Sequence, residues 1–423
     1  MAPRPISPIR HRIDARVRVP VSKSLANREL LLSALADGRT EIDLGDMDPG
    51  DDVRAMREAL GALGYQVDGE ATGVVRVTGQ GRSPRTVDAV VNARDAGTVA
   101  RFVTALAATR PGRTRIDGSE RMRQRPIAPL VRALRALGAQ IEGDGFPLTV
   151  SGPLTGGAVD VPGHESSQFA SALLLVGAHT ANGIVLRISE SVVSGPFIDM
   201  TLAVLKERGV SVERTAPNAF RVAPQRVRAR RVRVGGDATA ATYPGAAAAI
   251  LGGRVTIENV DPHHRSGEQG DIRAFDVLGS MGCDVSPSFG GLTVRRTGPL
   301  YGIRQNARDI SDTFPTLAVV AACAQGRSEI LGVGHTRGQE SDRIAAVAAG
   351  LRALGGRVTE YADGLAIDPA PLHGGVVDSA GDHRIAMAFS ILGLHVPGVA
   401  IEGSDTVSKS FPAFYEMLRG LGH

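Results

Sequence analysis

Leu134-Arg135-Ala136-Leu137-Gly138-Ala139-Gln140-Ile141 reads as a helix end, a glycine stop and the entry into a strand. The same phrase returns along the chain. It stands as Leu60-Gly61-Ala62-Leu63-Gly64-Tyr65-Gln66-Val67, and again from Leu205 to Val212 around Gly209. It recurs from Leu278 to Val285 around Gly282, and from Leu351 to Val358 around Gly355. A last copy, Met417-Leu418-Arg419-Gly420-Leu421-Gly422-His423, runs off the end of the chain. The marker glycines fall 67 to 74 residues apart. That period is too long for a solenoid repeat and fits a unit of two helices and several strands. Six units in 423 residues exceed one ordinary core, so two domains of three units are expected. Residues 9–19 read as a strand with no helix before it, and the sixth helix has no strand after it. The economical arrangement lets the N-terminal strand complete the last unit. Both termini then share one domain, 1–20 plus 237–423, and residues 21–236 form the other.

Composition narrows the function. Hydrophobic residues make up 43%, but aromatics only 4% with no Trp, so the core must be aliphatic. A net charge of +4 is too mild for a nucleic-acid coat and suits anionic small molecules. Cys283 and Cys323 lack metal-ligand or CxxC spacing and read as buried reduced thiols of a cytoplasmic protein. No stretch of about 18 apolar residues suggests a membrane span, and no hydrophobic signal region opens the chain. The basic run Arg226–Val234 reads as a strand with one solvated face, ending at the hinge Gly235-Gly236, rather than as a nucleic-acid site.

The chemistry-bearing stretches all stand at predicted helix starts. Ala15-Arg16-Val17-Arg18-Val19 ends at Pro20, and Val21-Ser22-Lys23-Ser24 leads into an apolar pattern from Leu25. Ser22 or Ser24 should cap this helix and Gly38 should stop it, with Arg28 one turn above Ser24. Free N–H groups, the helix dipole, two hydroxyls and two cations then meet at one place, an anion site. Asp95-Ala96-Gly97-Thr98 opens a second helix with Asp95 as its cap and Arg101 in its first turn. Arg121-Met122-Arg123-Gln124-Arg125-Pro126 sets three arginines on one side of an extended segment, with Pro126 in the first turn of the helix 127–137. Ser166-Ser167-Gln168 and Ser194-Gly195-Pro196 open two more helices. Asp312 reads as the cap of the helix 317–324 and as a candidate proton acceptor. His335–Arg343 is the densest polar segment, with Glu340 and Arg343 on one face. Asp382-His383-Arg384 and Ser408-Lys409-Ser410-Phe411-Pro412 precede the last two helices. Helix starts and cations turned to a shared cleft would take one or two highly charged anions. No GxxxxGK[ST] supports a nucleotide loop, and no zinc-like spacing is present, so acid–base chemistry without metal or cofactor is expected.

Together these motifs resemble the enolpyruvyl transferases, in particular the EPSP synthase family. The carriers are Ser22-Lys23-Ser24 with Asn27-Arg28, Ala96-Gly97-Thr98 with Arg101, Arg121–Pro126, Ser166-Ser167-Gln168, Gly236-Asp237, Asp312, Glu340–Arg343, Asp382-His383-Arg384 and Ser408–Pro412. The resemblance implies an α/β (α+β) fold, a two-domain inside-out α/β barrel of six βαβαββ repeats, three per domain. It implies transfer of the enolpyruvyl group of phosphoenolpyruvate to the 5-hydroxyl of shikimate 3-phosphate, with release of phosphate by addition–elimination. Lys23, Gly97, Arg125, Gln168, Arg343, Arg384 and Lys409 would hold phosphoenolpyruvate. Ser24, Arg28, Ser166, Ser167, Gln168, Ser194, Asp312 and Gln339 would hold the phosphoshikimate. Asp312 and Glu340 would transfer protons, with Lys23 and His383 assisting. No cofactor, metal, nucleic acid or membrane is implied, and a cytoplasmic monomer is expected.

Four positions depart from the family pattern: Val21 stands for a glycine, Asp95 for an asparagine, Gln339 for a lysine and His335 for an asparagine. The lysine lost at 339 would lie near the reacting hydroxyl, so a paralogue using another hydroxyl acceptor is the competing expectation. A relative acting on UDP-N-acetylglucosamine would carry a reactive loop cysteine, which neither Cys283 nor Cys323 resembles.

Overall fold

The computed structural model describes residues 2–70, 72–262 and 269–422. His423, in the sixth repeat marker, lies outside them. The chain divides into two compact units, Met1–Pro20 with Gly235–His423, and Val21–Val234.

One repeat explains the unit Val21–Val234. Strand Ala89–Asn92 is followed by helix Gly97–Ala108, then by the parallel strand Arg113–Asp117. Helices Glu120–Gln124 and Ala128–Ala136 lead into the antiparallel strands Gln140–Glu142 and Leu148–Ser151. The order is βαβαββ, and the four strands form one sheet. The strands Gly157–Pro162, Ile184–Ser189, Val212–Ala216 and Ala219–Val222 repeat it around helices Ser167–Gly177 and Pro196–Glu207. In the third sheet, Val227–Arg228 and Arg231–Arg233 pair in parallel with Ala36–Asp43. The expected strand at Arg226–Val234 is therefore present. Val227 and Val232 are buried while the arginines face solvent.

The first helix of each repeat is buried on nearly every side. In Gly97–Ala108 every residue is buried, and in Lys23–Leu35 every residue from Leu25 onward is. Such helices need cover all round. Lys23–Leu35, Gly97–Ala108 and Ser167–Gly177 pack on one another, and the sheets lie outside them. The Asn27–Thr98 and Arg28–Ser171 bonds join their first two turns, so the three helices begin at one end of the unit. Small Ala, Gly, Ser and Thr side chains allow this close packing. The other unit repeats the plan with helices Ala238–Leu251, Phe314–Ala321 and His383–Gly393, each buried almost throughout.

Gly64, Gly138, Gly209, Gly282 and Gly355 all adopt left-handed φ values, between +76° and +102°, directly after a helix. Only glycine does so without a Cβ penalty, which is why the marker recurs.

Several local expectations are corrected. The strand expected over residues 9–19 is Ile13–Val17, and it pairs in parallel with Gly253–Ile257 rather than completing the last repeat. Arg4–Pro5 does that, pairing antiparallel with Val399–Glu402. Helix Lys23–Leu35 passes straight into strand Ala36–Asp43, so Gly38 is not its stop. The three arginines at 121, 123 and 125 are not one-sided, because Glu120–Gln124 is helical and Arg123 turns away to pair with Asp117. Pro126 lies before the following helix, Ala128–Ala136, whose first turn holds Pro129. No helix among the described residues is long and apolar enough to cross a membrane. Both cysteines are free thiols, and burial pushes Cys283 up to about 11 and Cys323 up to about 12.

Candidate active site

The unit Val21–Val234 presents a set of polar groups at the starts of its buried helices. Ser22 occupies the N-cap position of helix Lys23–Leu35 without a side-chain cap bond. Lys23 donates to Asp52 Oδ2 at 2.7 Å, and both side chains are nearly enclosed. Asp52, which stands in the first turn of helix Asp51–Ala62, went unrecognised in the sequence. Its signal was slight, an Asp-Asp pair after Gly50. Val21 replaces the family glycine without strain: it is buried and lies close to where a Cβ on Gly45 would sit. It does not adopt positive φ.

Arg28 is only 1% exposed and reaches the first two turns of two other helices. It donates to Ser24 O at 2.9 Å, Thr201 Oγ1 at 2.9 Å, Ser171 Oγ at 3.3 Å and Phe197 O at 3.0 Å. All these partners are neutral, and burial lowers the guanidinium to about 9. Its charge therefore favours an anion nearby. Ser166 caps helix Ser167–Gly177 by accepting from Gln168 N at 3.2 Å, with Ser167 buried beside it. Ser194 is buried at a left-handed φ of 53°, just before Gly195 and helix Pro196–Glu207.

Gly97 and Arg125 are in closest contact. A Cβ at Gly97 would stand 2.7 Å from Arg125 Nη2. Arg125 also donates to Asp95 O at 3.3 Å. Asp95 is not the cap expected of it. Ala96 holds that position, and the Asp95 carboxylate accepts from Ser119 instead. Arg101 is buried, with 2% of its surface exposed. It donates to Gly97 O, Met122 Sδ and Pro126 O, fastening the turn that carries Arg125.

The unit holding both termini contains a dense ionic cluster. Arg343, the first residue of helix Arg343–Ala353, is 1% exposed. Its guanidinium meets Asp382 Oδ2 at 2.8 Å, Asp312 Oδ1 at 2.9 Å and Glu340 Oε2 at 3.0 Å. It also donates to Gln339 Oε1. Burial alone would lower its pKa, but the three carboxylates overcome that and hold it above the usual arginine value. Arg384 donates to Asp312 Oδ2 at 2.6 Å, and its pKa is raised in the same way. Lys409 Nζ lies 3.9 Å from Glu340 Oε1. Three cations thus face three carboxylates.

Asp312 does not cap a helix. It lies in the 3-10 turn Arg308–Thr313, and Thr313 takes the cap position of helix Phe314–Ala321. Asp382 is the true cap of helix His383–Gly393, accepting from Arg384 N at 2.9 Å, and also from Ser341 Oγ at 3.1 Å. Asp382 is fully enclosed, whereas the Asp312 and Glu340 side chains keep 20% and 12% exposure. Those two can exchange a proton with a ligand. His383 is sealed behind Asp382. His335 Nε2 pairs with Ser311 Oγ at 2.9 Å, and burial lowers it to about 4, so it is neutral near pH 7. Every cation here is offset by a carboxylate. An arriving anion must therefore share these partners, which limits affinity but favours ligands carrying more than one charge.

The chain as a whole is similar to known proteins. The family model described as EPSP synthase (3-phosphoshikimate 1-carboxyvinyltransferase) matches residues 8–418. The 3-phosphoshikimate 1-carboxyvinyltransferase of Methanosphaerula palustris is 41% identical over 418 residues, covering 97% of each chain. That of Halobacterium salinarum is 40% identical over 428 residues, again covering 97% of each. The solved EPSP synthase of Acinetobacter baumannii superimposes with a TM-score of 0.80 at 26% identity, covering 99% of this chain and 97% of that one. The enolpyruvyl transferase NikO from Streptomyces tendae shares the fold, with a TM-score of 0.75 at 19% identity over 99% of this chain and 98% of that one.

Proposed function

Because the chain belongs to the EPSP synthase family, we infer that it transfers the enolpyruvyl group of phosphoenolpyruvate to the 5-hydroxyl of shikimate 3-phosphate and releases phosphate. The observation that carries the assignment to this chain's own residues is the buried Arg343 with Arg384, sharing Asp312. Two enclosed guanidiniums beside accessible carboxylates suit a substrate bearing both a carboxylate and a phosphate.

In this reading Arg343, Arg384 and Lys409, with Lys23, Arg125, Gln168 and the Gly97 N–H, hold phosphoenolpyruvate. Ser24, Arg28, Ser166, Ser167, Gln168, Ser194, Gln339 and Asp312 hold the phosphoshikimate. Asp312 takes the proton of the attacking 5-hydroxyl. Glu340 delivers a proton to the methylene carbon of phosphoenolpyruvate and removes one in the elimination. Lys23 offsets charge on the phosphate as it leaves. His383 serves through Asp382 and does not touch the ligand. Addition gives a tetrahedral intermediate, and loss of phosphate restores the double bond.

The test is phosphate release with both substrates, run for the wild type beside Lys23→Ala and Glu340→Ala. Glu340→Ala should lose at least about a hundredfold in kcat, the scale of a removed acid–base group, and Lys23→Ala about as much, the scale of a removed charge-stabilising donor. Release with another polyol acid but not with shikimate 3-phosphate would replace the acceptor and keep the donor chemistry. Gln339, which accepts from Arg343 and departs from the lysine of the family pattern, is the observation that favours that second reading.

A further inference from the structure

Asp271 is a buried carboxyl that the mechanism above does not use. It lies in the 3-10 turn Gly270–Arg273, with 4% of its surface exposed. Among the described residues its Oδ2 is bonded to the Thr239 hydroxyl, and its Oδ1 has no partner. Among the described residues it forms no ion pair. A dry carboxylate ordinarily collects two or three donors or a cation. One neutral hydroxyl is poor compensation for a charge and good company for a neutral acid.

The surroundings point the same way. The turn packs on helix Ala238–Leu251, on the 3-10 turn bearing Asp312, and on helix Ala274–Ser280. The charged groups that act on it are Asp312, Asp237 and Arg384. Arg273, Arg308, Asp276 and Asp309, on the same elements, line a separate cavity of about 430 Å³. Arg384 is already committed to Asp312 at 2.6 Å. The cluster of Arg343, Arg384 and Lys409 against Asp312, Asp382 and Glu340 is balanced in charge, so an ionised Asp271 would be a carboxylate too many. Burial first, and then the Asp312 charge, push its pKa up to about 7.

We propose that Asp271 is a positioning residue held as the neutral acid behind Asp312 and Arg384, and that its ionisation weakens the hold of this cluster on phosphoenolpyruvate. The proposal rests on the function assigned above for its kinetic consequence, but not for its protonation. Loss of the proton adds one negative charge next to Asp312, which draws Arg384 inward and repels the anionic substrate.

The experiment compares the wild type with Asp271→Asn, which mimics the neutral acid. kcat/KM for phosphoenolpyruvate is measured from about pH 6 to about pH 9. The substrate's own ionisation is common to both proteins and cancels in their ratio. The variant-to-wild-type ratio should rise by roughly five- to tenfold across neutrality, carried by KM rather than kcat. Thr239→Val removes the only donor among the described residues and should move the wild-type limb to higher pH. Infrared difference spectra should show a protonated-carboxyl band that disappears as pH rises through neutrality in the wild type and is missing in Asp271→Asn. A pH-independent ratio, or the lack of that band at low pH, overturns the proposal. If no transferase activity is found with either substrate pair, the assigned function fails, while the infrared band still decides the state of Asp271.

Discussion

Gly97→Ala isolates the contact between the helix start and Arg125. Its Cβ would stand 2.7 Å from Arg125 Nη2, whereas ordinary contact begins at 3.4 Å. Something must move by about 0.7 Å, and the guanidinium is the flexible partner. The backbone is not the obstacle, because Gly97 shows no positive φ and begins a helix. Alanine there is a better helix former than glycine by up to about 1 kcal/mol. Stability should therefore hold or rise slightly while the arginine is displaced. A charge-assisted hydrogen bond contributes about 1.5–3 kcal/mol. Losing one to phosphoenolpyruvate should raise its KM roughly 10- to 150-fold. kcat should change far less, because the displaced group binds rather than transfers protons. Steady-state phosphate release, with each substrate varied in turn, measures this, and thermal unfolding checks the fold. An unchanged KM for phosphoenolpyruvate would refute the placement of Arg125 at the donor. An equal rise in KM for the phosphoshikimate, or a large fall in Tm, would show that the substitution disturbs more than this contact.

Three further outcomes follow from buried charge. Glu29 and Arg208 form an enclosed pair at 2.5 Å that ties helix Lys23–Leu35 to helix Pro196–Glu207. Glu29→Gln should cost about 3–5 kcal/mol in urea unfolding by stranding Arg208, with kcat per folded molecule nearly unchanged. Asp382→Ala removes a helix cap and the partner of Arg343 Nε together. It should cost about 4 kcal/mol or more and also raise KM for phosphoenolpyruvate, which calorimetry and kinetics would separate. Burial, and then Arg82, hold His179 down at about 4. Its folded pKa lies below the unfolded value, so the folded state binds fewer protons between the two. Its contribution is complete above about pH 6.5 and is lost as pH falls toward 4, at most about 3 kcal/mol. His179→Leu should flatten urea midpoints over that window, and an unchanged slope would refute the assignment.

The repeat was readable without coordinates because its marker rests on a backbone necessity. A helix that must turn into a strand needs a left-handed residue, and glycine supplies it at Gly64, Gly138, Gly209, Gly282 and Gly355. The buried helices were legible for a similar reason, since runs such as Phe169–Gly177 are apolar on every side. Polar motifs at their starts marked the candidate site, because helix N-termini attract anions wherever they occur.

Partners could not be read this way. Nothing in the chain linked Lys23 to Asp52, Arg343 to Asp382, or Asp271 to Thr239, since these pairs stand 29, 39 and 32 residues apart. Neither Asp95 nor Asp312 serves as the cap its position suggests, because a carboxylate beside a helix has two uses. Each was taken by a distant partner, Ser119 in one case and two arginines in the other. The alternating arginines at 121–125 suggested an extended segment, but Ser119 and Glu120 start a helical turn that sends Arg123 to Asp117 and leaves Arg125 against Gly97. Likewise the strand Ile13–Val17 found its mate at Gly253–Ile257, not in the last repeat. Local pattern determined where helices begin, where chains turn and which residues carry charge. Which charge neutralises which was decided in three dimensions, because ion pairing depends on through-space distance and burial, and neither quantity is written along a chain.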